Sequence, residues 1–408
     1  MFTIHEPKKF LSKIAIFLIM GRSVLCIPMI GLHLVCDSRA LARFFKLIAP
    51  LTLLIFIFAV YSLNQINELR WVLGQSRDIM LAFVVFAFLA SIPASFGGEL
   101  LAYRSLKSAA IFIAVAKILI ILIGAVTGID PMVIIKLITK VWDIHLMTLG
   151  VDDSFLTRLQ IPIDSATPFL LYVVVSELLL SNRNRIRNYI GFALLLVSLL
   201  LTFSRFFWGC GLLLMALSLI FNSKLSTKMY FIIGACVIGY ILYAFTPVGD
   251  YFDKIVGTRF GANVNNSASD SFRITQKAAL SQRIYDNVIF GHGLGYYLPS
   301  LIRASDTPYL YENQTLSIIM NLGFVGSILL ILTLGMVIFG YCYNQQETKF
   351  LNIMLTLLFM TLWIAGGYFN PLLFGSSGGV ILFFCARHHA IVKNFKMESS
   401  PVYSAART

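Results

Sequence analysis

The chain has 408 residues, 58% of them hydrophobic and only 12% charged, with a net charge of +13. A soluble protein of this length needs more charge to cover itself, so the composition excludes that class and points to a polytopic α-helical membrane protein. The basic residues cluster in short loops between apolar runs, which is a topological bias and not a nucleic-acid surface; the runs are unbroken, which disfavours a membrane barrel.

A crossing needs roughly 20 apolar residues. Residues 10–36 read either as one span or as a hairpin of two short helices turning at Arg22. The first reading puts Lys8, Lys9 and Lys13 outside, and the second returns them to the cytoplasm. The N-terminal run lacks a small-residue cleavage site, so no cleavable signal peptide is expected. Spans are predicted over about 47–66, 79–96 and 109–129, with Arg39, Arg43, Lys46, Arg104 and Lys107 in cytoplasmic loops. A smaller outer loop, 130–166, precedes a span at 167–181. The basic stretch Asn182-Arg-Asn-Arg-Ile-Arg187 and the region of Lys224 and Lys228 both read as cytoplasmic. The roughly 33 apolar residues between them must then cross an even number of times. That makes a hairpin of 190–204 and 206–222 with Arg205 at its outer apex. A span at 229–249 leads into the largest outer loop, 250–311, long enough for short helices of its own. Spans at 312–342, 351–370 and 372–388 follow, with Lys349, Arg387 and Lys393 cytoplasmic. The expectation is one all-α integral membrane domain, 1–408, with eleven or twelve spans, no internal repeat and no separate soluble domain.

The six cysteines, Cys26, Cys36, Cys210, Cys236, Cys342 and Cys385, all sit in or beside apolar runs. They read as small embedded side chains, not as a disulfide framework or a metal site.

Three places carry chemistry. Arg205, in Thr202-Phe-Ser-Arg205-Phe-Phe-Trp-Gly209, can offer a planar cationic fork to a phosphate. It reads equally as an interfacial arginine beside an aromatic belt. The 250–311 loop holds six basic residues, Lys254, Arg259, Arg273, Lys277, Arg283 and Arg303. Pairing with Asp250, Asp253, Asp270, Asp286 and Asp306 is the bland account of these cations. The same loop contains Ile289-Phe-Gly-His-Gly-Leu-Gly295, which has no βαβ context and so is no dinucleotide site. Its glycines, Gly293 and Gly295 among them, read as a backbone turn that approaches a ligand or closes the loop onto the membrane domain. His292 is a proton carrier or, more simply, a structural residue of that turn. Last comes Glu312-Asn313, followed after nine residues by Gly323 and Gly326. A carboxylate where a loop enters the bilayer is costly unless it is used or satisfied. Glu312 can cap a helix dipole, or it can act as a general base toward a sugar hydroxyl. Gly323 and Gly326, spaced by three, allow close helix packing.

In order and spacing these residues resemble the O-antigen ligase/Wzy-type polymerase superfamily of envelope glycosyltransferases. Thr202-Phe-Ser-Arg205 is similar to the family's arginine-bearing turn. Arg273-Ile-Thr-Gln-Lys-Ala-Ala-Leu280, leading to Gly291-His-Gly-Leu-Gly295, resembles its loop helix and glycine turn. Glu312-Asn313-x9-Gly323-x2-Gly326 has its spacing of a polar pair and a GxxG. The resemblance implies a GT-C-like fold and a reaction that needs neither metal nor cofactor. Its expected substrates are undecaprenyl-diphosphate-linked oligosaccharides, as both donor and acceptor, at the periplasmic face of the bacterial inner membrane. It implies Glu312 as catalytic base and Arg205 and Arg273 as diphosphate contacts. Arg259 and Arg283 follow as weaker glycan or phosphate contacts, and Asn313 and the glycines as support. Membrane lipids, a chain-length regulator and a flippase are the expected partners, and no nucleic acid is. Ligases of this family carry histidine where this chain has Glu312, which favours a polymerase. The alternatives are a ligase that transfers polymer to lipid A-core and a flippase or transporter of lipid-linked sugars.

Overall fold

The computed structural model describes residues 5–94, 97–128, 130–131, 133–135, 158–181, 184–223, 264–302, 305–342, 350–371 and 373–398, with isolated positions between 234 and 257. Most of these residues are helical, and no strand occurs among them. Helices α1 (His5–Met20) and α2 (Cys26–Val35) form a hairpin. Arg22 sits in its turn at φ 54°, so the structure takes the hairpin alternative. Helices α3 (Ser38–Asn64), α4 (Leu69–Ser91) and α5 (Gly98–Thr127) each begin well before their predicted apolar stretch, by roughly three turns. Hydropathy marks the apolar part of a helix, whereas caps set where it starts. At α3 the cap is Asp37, whose side chain accepts from the N–H groups of Arg39 and Ala40.

The remaining helices are α6 (Thr167–Leu180), α7 (Arg185–Leu200), α8 (Arg205–Asn222), α9 (Val264–Asp286), α10 (Gln314–Val337), α11 (Phe350–Phe369) and α12 (Gly375–Glu398). α10 continues as a π-turn over Ile338–Cys342. Among the described residues seven helices are long and apolar enough to cross a membrane: α3, α4, α5, α6 with its 3₁₀ lead-in, α8, α10 and α11. The chain is an all-α multi-pass membrane protein. The larger number expected from sequence also counts α1, α2, α7, α12 and the segment 229–249, which lies outside the described residues. The loop predicted over 250–311 was expected to hold short helices, and 23 of its residues form the single long helix α9.

Two compact units divide the chain: residues 1–106 with 271–391, and residues 107–270 with 392–408. In the second unit, α6 packs against both α7 and α8. Two buried lysines of α5 pair with carboxylates at opposite ends of the α6 region. Lys107 Nζ lies 2.6 Å from Glu177 Oε2 and 2.8 Å from Asn188 Oδ1. Lys117 Nζ lies 2.6 Å from both oxygens of Asp164, in the 3₁₀ turn Pro162–Ala166. The two lysines are about 15 Å apart along the helix, so the pairs fix α5 and α6 antiparallel and in register. The end of the loop predicted over 130–166 is thereby drawn into the core, with Asp164 2% exposed.

In the first unit, α3 packs on α4 and on α10, and α10 packs on α11. α10 is broken at Gly323, which has φ 65° and ψ −175°. In an unbroken helix the N–H groups of Phe324 and Val325 would donate to the carbonyls of Met320 and Asn321. Here Phe324 donates to Val288 O at 2.9 Å and Val325 to Ile289 O at 3.1 Å. The vacated carbonyls of Met320 and Asn321 accept from His292 N (2.9 Å) and Gly293 N (2.8 Å). The glycine turn is thus spliced into the helix, and each of these four main-chain groups finds a new partner. Only glycine fits at the junction. A Cβ on Gly291 would stand 2.4 Å from Gly323 N, and one on Gly323 would stand 2.3 Å from Ile289 O. Gly326 plays the expected part in close packing, because a Cβ there would meet the Phe58 ring at 2.4 Å. Gly323 does something different: it ends one helical segment and starts the next.

The splice and the buried pairs each carry a prediction. Gly323→Ala and Gly291→Ala should each destabilise the detergent-purified protein by about 1–3 kcal/mol. Gly335→Ala, where nothing stands within 4 Å of the added Cβ, should leave the melting temperature unchanged. Lys117→Met should cost about 3–5 kcal/mol by stranding Asp164, and the double variant Lys117→Met/Asp164→Leu should regain most of it. Thermal unfolding followed by size-exclusion elution tests both.

Candidate active site

α9 presents Arg273, Gln276, Lys277, Leu280 and Ile284 on one face, at spacings of three, four, seven and eleven. Leu280 and Ile284 bury themselves against Tyr311 and Met320. This apolar contact docks α9 onto the entrance of α10 and brings its polar end to Glu312. Arg273 Nε donates to Glu312 Oε2 at 2.8 Å. The pair is partly open to solvent, with 39% of the Arg273 side chain and 16% of the Glu312 side chain exposed.

The residues around Glu312 are fixed one by one. Tyr309 hydroxyl donates to Asp78 Oδ2 at 3.0 Å, in a space left by Gly74, where a Cβ would stand 2.8 Å from that hydroxyl. Tyr311, 1% exposed, accepts from Leu298 N at 2.6 Å. Burial pushes the Tyr311 hydroxyl up to about 12, and burial beside Asp78 raises Tyr309 as well. Asn313 N donates to Gln276 Oε1 at 3.1 Å. Asn313 Oδ1 accepts from Leu316 N at 3.0 Å, so Asn313 is the N-cap of α10. The dipole-capping role considered for Glu312 therefore falls to its neighbour. Glu312 stands just outside the helix, on a short stretch pinned on both sides.

The glycine turn is held as firmly. Leu294 N donates to Ser62 Oγ, and Gly295 N donates to Gln75 Oε1 at 2.6 Å. Asn67 Nδ2 donates to the carbonyls of His292 and Leu294. Cβ atoms on Gly293 and Gly295 would collide with Ser62 Cα at 2.8 Å and Val72 N at 2.4 Å. Of the two readings of this turn, the structure realises closure onto the membrane helices. His292 stacks on Tyr296 at 4.6 Å, and its Nε2 donates to Arg283 O at 2.9 Å. A carbonyl only accepts, so the Nε2 proton is engaged in holding the turn. Arg283 donates to Tyr296 hydroxyl at 2.6 Å and pairs with Asp286 at 2.7 Å, which follows the bland account of the loop cations. Those two contacts raise its already high pKa. Arg259 lies outside the described residues.

Arg205 belongs to the other compact unit, where it is exposed as the first residue of α8. Ser204 caps that helix by accepting from Phe207 N. The preceding residue, Phe203, is 3% exposed and adopts φ 48°, a costly conformation for an aromatic residue. The tight turn is stapled from outside. Leu159 N donates to Leu201 O at 3.0 Å, and Arg158 Nε donates to Thr202 O at 3.1 Å. Arg158 also contacts Gln160.

Sequence reasoning missed Gln276, Gln75, Asp78 and Arg158. Gln276 had a visible signal: a polar residue three places after Arg273, on the face that Leu280 shows to be buried. The other three are joined to their sites only by tertiary contacts. Gln276→Leu should leave the Asn313 N–H unsatisfied and cost about 1–3 kcal/mol. Asn313→Ala should cost about 1 kcal/mol through loss of the cap, and Asn313→Ser should keep most of it. Chemical unfolding of the purified variants provides the check.

No curated protein matches the chain. Residues 190–331 match a family model described as O-Antigen ligase. The match begins in α7, takes in the Arg205 turn, Arg273, the glycine turn and Glu312, and ends beyond the break in α10. The match covers about a third of the chain and supports a likeness to the O-antigen ligase/polymerase superfamily, whose activity is glycosyltransferase-like.

Proposed function

We propose that the protein is a surface-polysaccharide polymerase of the bacterial inner membrane, acting at the periplasmic face. It transfers a growing glycan from undecaprenyl diphosphate to the non-reducing end of another lipid-linked repeat unit. The observation that carries this reading is the Arg273–Glu312 pair, at 2.8 Å, on a segment fixed at both ends. The acceptor hydroxyl oxygen forms a bond to the anomeric carbon as the bond from that carbon to the diphosphate breaks. Glu312 takes the hydroxyl proton, and the electron pair leaves with the undecaprenyl diphosphate. The departing anion needs fixed cations in a site with little water. Arg273 supplies one beside the base, and Arg205 is the second by its family resemblance. Arg259 and Arg283 are weaker contacts, and Arg283 already holds Asp286 and Tyr296. A chain-length regulator and a flippase are the partners expected in the cell.

The ligase is the second reading, favoured by the description of the matching family model. Glutamate in place of the ligases' histidine favours the polymerase. Polysaccharide gels separate the two: loss of a polymerase leaves single repeat units on lipid A-core, and loss of a ligase leaves none.

Purified protein supplied only with lipid-linked repeat unit should build polymer, which also excludes pure transport. Glu312→Gln should lower kcat by about 10²–10⁴-fold, the range for losing a general base, with an unchanged elution profile. Wild-type chain lengths from that variant would sink the assignment of the base.

A further inference from the structure

The last turn of α11 carries an aromatic pair next to the Arg273–Glu312 site. Tyr368 is half-buried, and Phe369 meets it edge-on at 5.3 Å between ring centroids. Lys277, one turn along α9 from Arg273, places its ammonium over the Tyr368 ring, 5.9 Å from the centroid. The end of α11 is also tied to the residues that follow Glu312. Thr315 Oγ1 donates to Ile364 O at 2.8 Å, and a Cβ on Gly367 would stand 2.8 Å from that same Oγ1. Three elements are thus linked pairwise: α9 to the carboxylate ahead of α10 through Arg273, α9 to the aromatic face of α11 through Lys277, and α10 to α11 through Thr315.

The combination matches a sugar ring. A pyranose has an apolar C–H face and a rim of hydroxyls. The negative face of an aromatic ring attracts the C–H side. An ammonium donates to rim oxygens, and a carboxylate accepts from a hydroxyl. A phosphate would need the cations but not the aromatic face. An ordinary aromatic at the membrane boundary would need no cation on its face.

We infer that Tyr368 is the floor of an acceptor-sugar subsite, that the sugar takes the ring face over which the Lys277 ammonium now stands while Lys277 swings to its hydroxyl rim, and that the stacked sugar presents its hydroxyl to Glu312. The inference rests on the glycosyl-transfer reading above and assigns the acceptor a place within it. The specific contact is with the ring face, so Tyr368→Phe should behave as wild type, while Tyr368→Leu should not.

The test uses the full chain in detergent or nanodiscs, with lipid-linked repeat unit as substrate and the lipid-free repeat-unit oligosaccharide as binding probe. Tyr368→Leu should raise the acceptor KM about tenfold, the worth of one good stacking contact, with kcat little changed. Glu312→Gln should do the reverse. Saturation-transfer NMR should show the free oligosaccharide binding to wild type and to Tyr368→Phe, and lost in Tyr368→Leu. A wild-type KM in Tyr368→Leu, or an equal loss in Tyr368→Phe, overturns the subsite. If Tyr368→Leu does not fold, Lys277→Gln decides, since an unchanged acceptor KM there overturns it too. Should wild type bind the oligosaccharide through Tyr368 yet transfer no sugar, the subsite stands and the polymerase reading falls. Should transfer proceed with no dependence on Tyr368, the polymerase reading stands and the subsite falls.

Discussion

The break in α10 at Gly323 is the constraint on which the first compact unit depends. An interrupted helix in an apolar setting must find new partners for its freed N–H and C=O groups. The chain finds them in its own loop after α9, whose glycine turn supplies two donors and two acceptors in the places the helix vacated. The loop is therefore not draped over the membrane helices but bonded into one of them. Residues far apart in sequence, Val288 to Gly293 and Met320 to Val325, become a single piece of backbone structure.

This splice fixes the distance between α9 and α10. The glycine turn follows α9 directly, and its insertion point lies about three turns into α10. α9 can then reach only the entrance of α10, where Leu280 and Ile284 meet Tyr311 and Met320. Arg273 and Gln276 fall opposite Glu312 and Asn313 as a result. The Arg273–Glu312 pair is a geometric consequence of a backbone repair made deeper in the same helix. The same logic explains why so many polar side chains on and between α3 and α4, among them Ser62, Asn67 and Gln75, are engaged by main-chain atoms of the turn. They hold the splice, and the splice holds the site.

Much of this was legible in the sequence. Unbroken apolar runs marked the class and most helices, because lipid demands long hydrophobic stretches. Arg22 offered a turn between α1 and α2 but left a single span equally open, whereas the α7–α8 hairpin was marked by its two basic flanks. Helix starts were not legible, because caps such as Asp37 act beyond the apolar stretch. Gly323 and Gly326 stood out as a pair, but spacing alone could not distinguish a glycine that admits Phe58 from one that breaks the helix. Glu312 and Arg273 were each singled out, yet their pairing was not. It depends on the docking of α9, which is set by tertiary contacts with no local sequence mark. Lys117 and Asp164 were missed for a related reason: each looks ordinary until its partner, 47 residues away, is known.

Those buried pairs bear on how the protein enters the membrane. α5 is the most apolar of the candidate spans, yet it carries both lysines. When α5 emerges from the ribosome, Asp164 and Glu177 have not been made. An unpaired lysine at the centre of a helix weakens insertion by about 2.5–3.5 kcal/mol. The high hydropathy of α5 offsets that penalty for as long as the carboxylates are missing. α6 then completes two circuits at once when it arrives. The two lysines of α5 therefore gain their carboxylate partners only once the α6 region has been made, so this unit closes as a pair of helices and not one helix at a time.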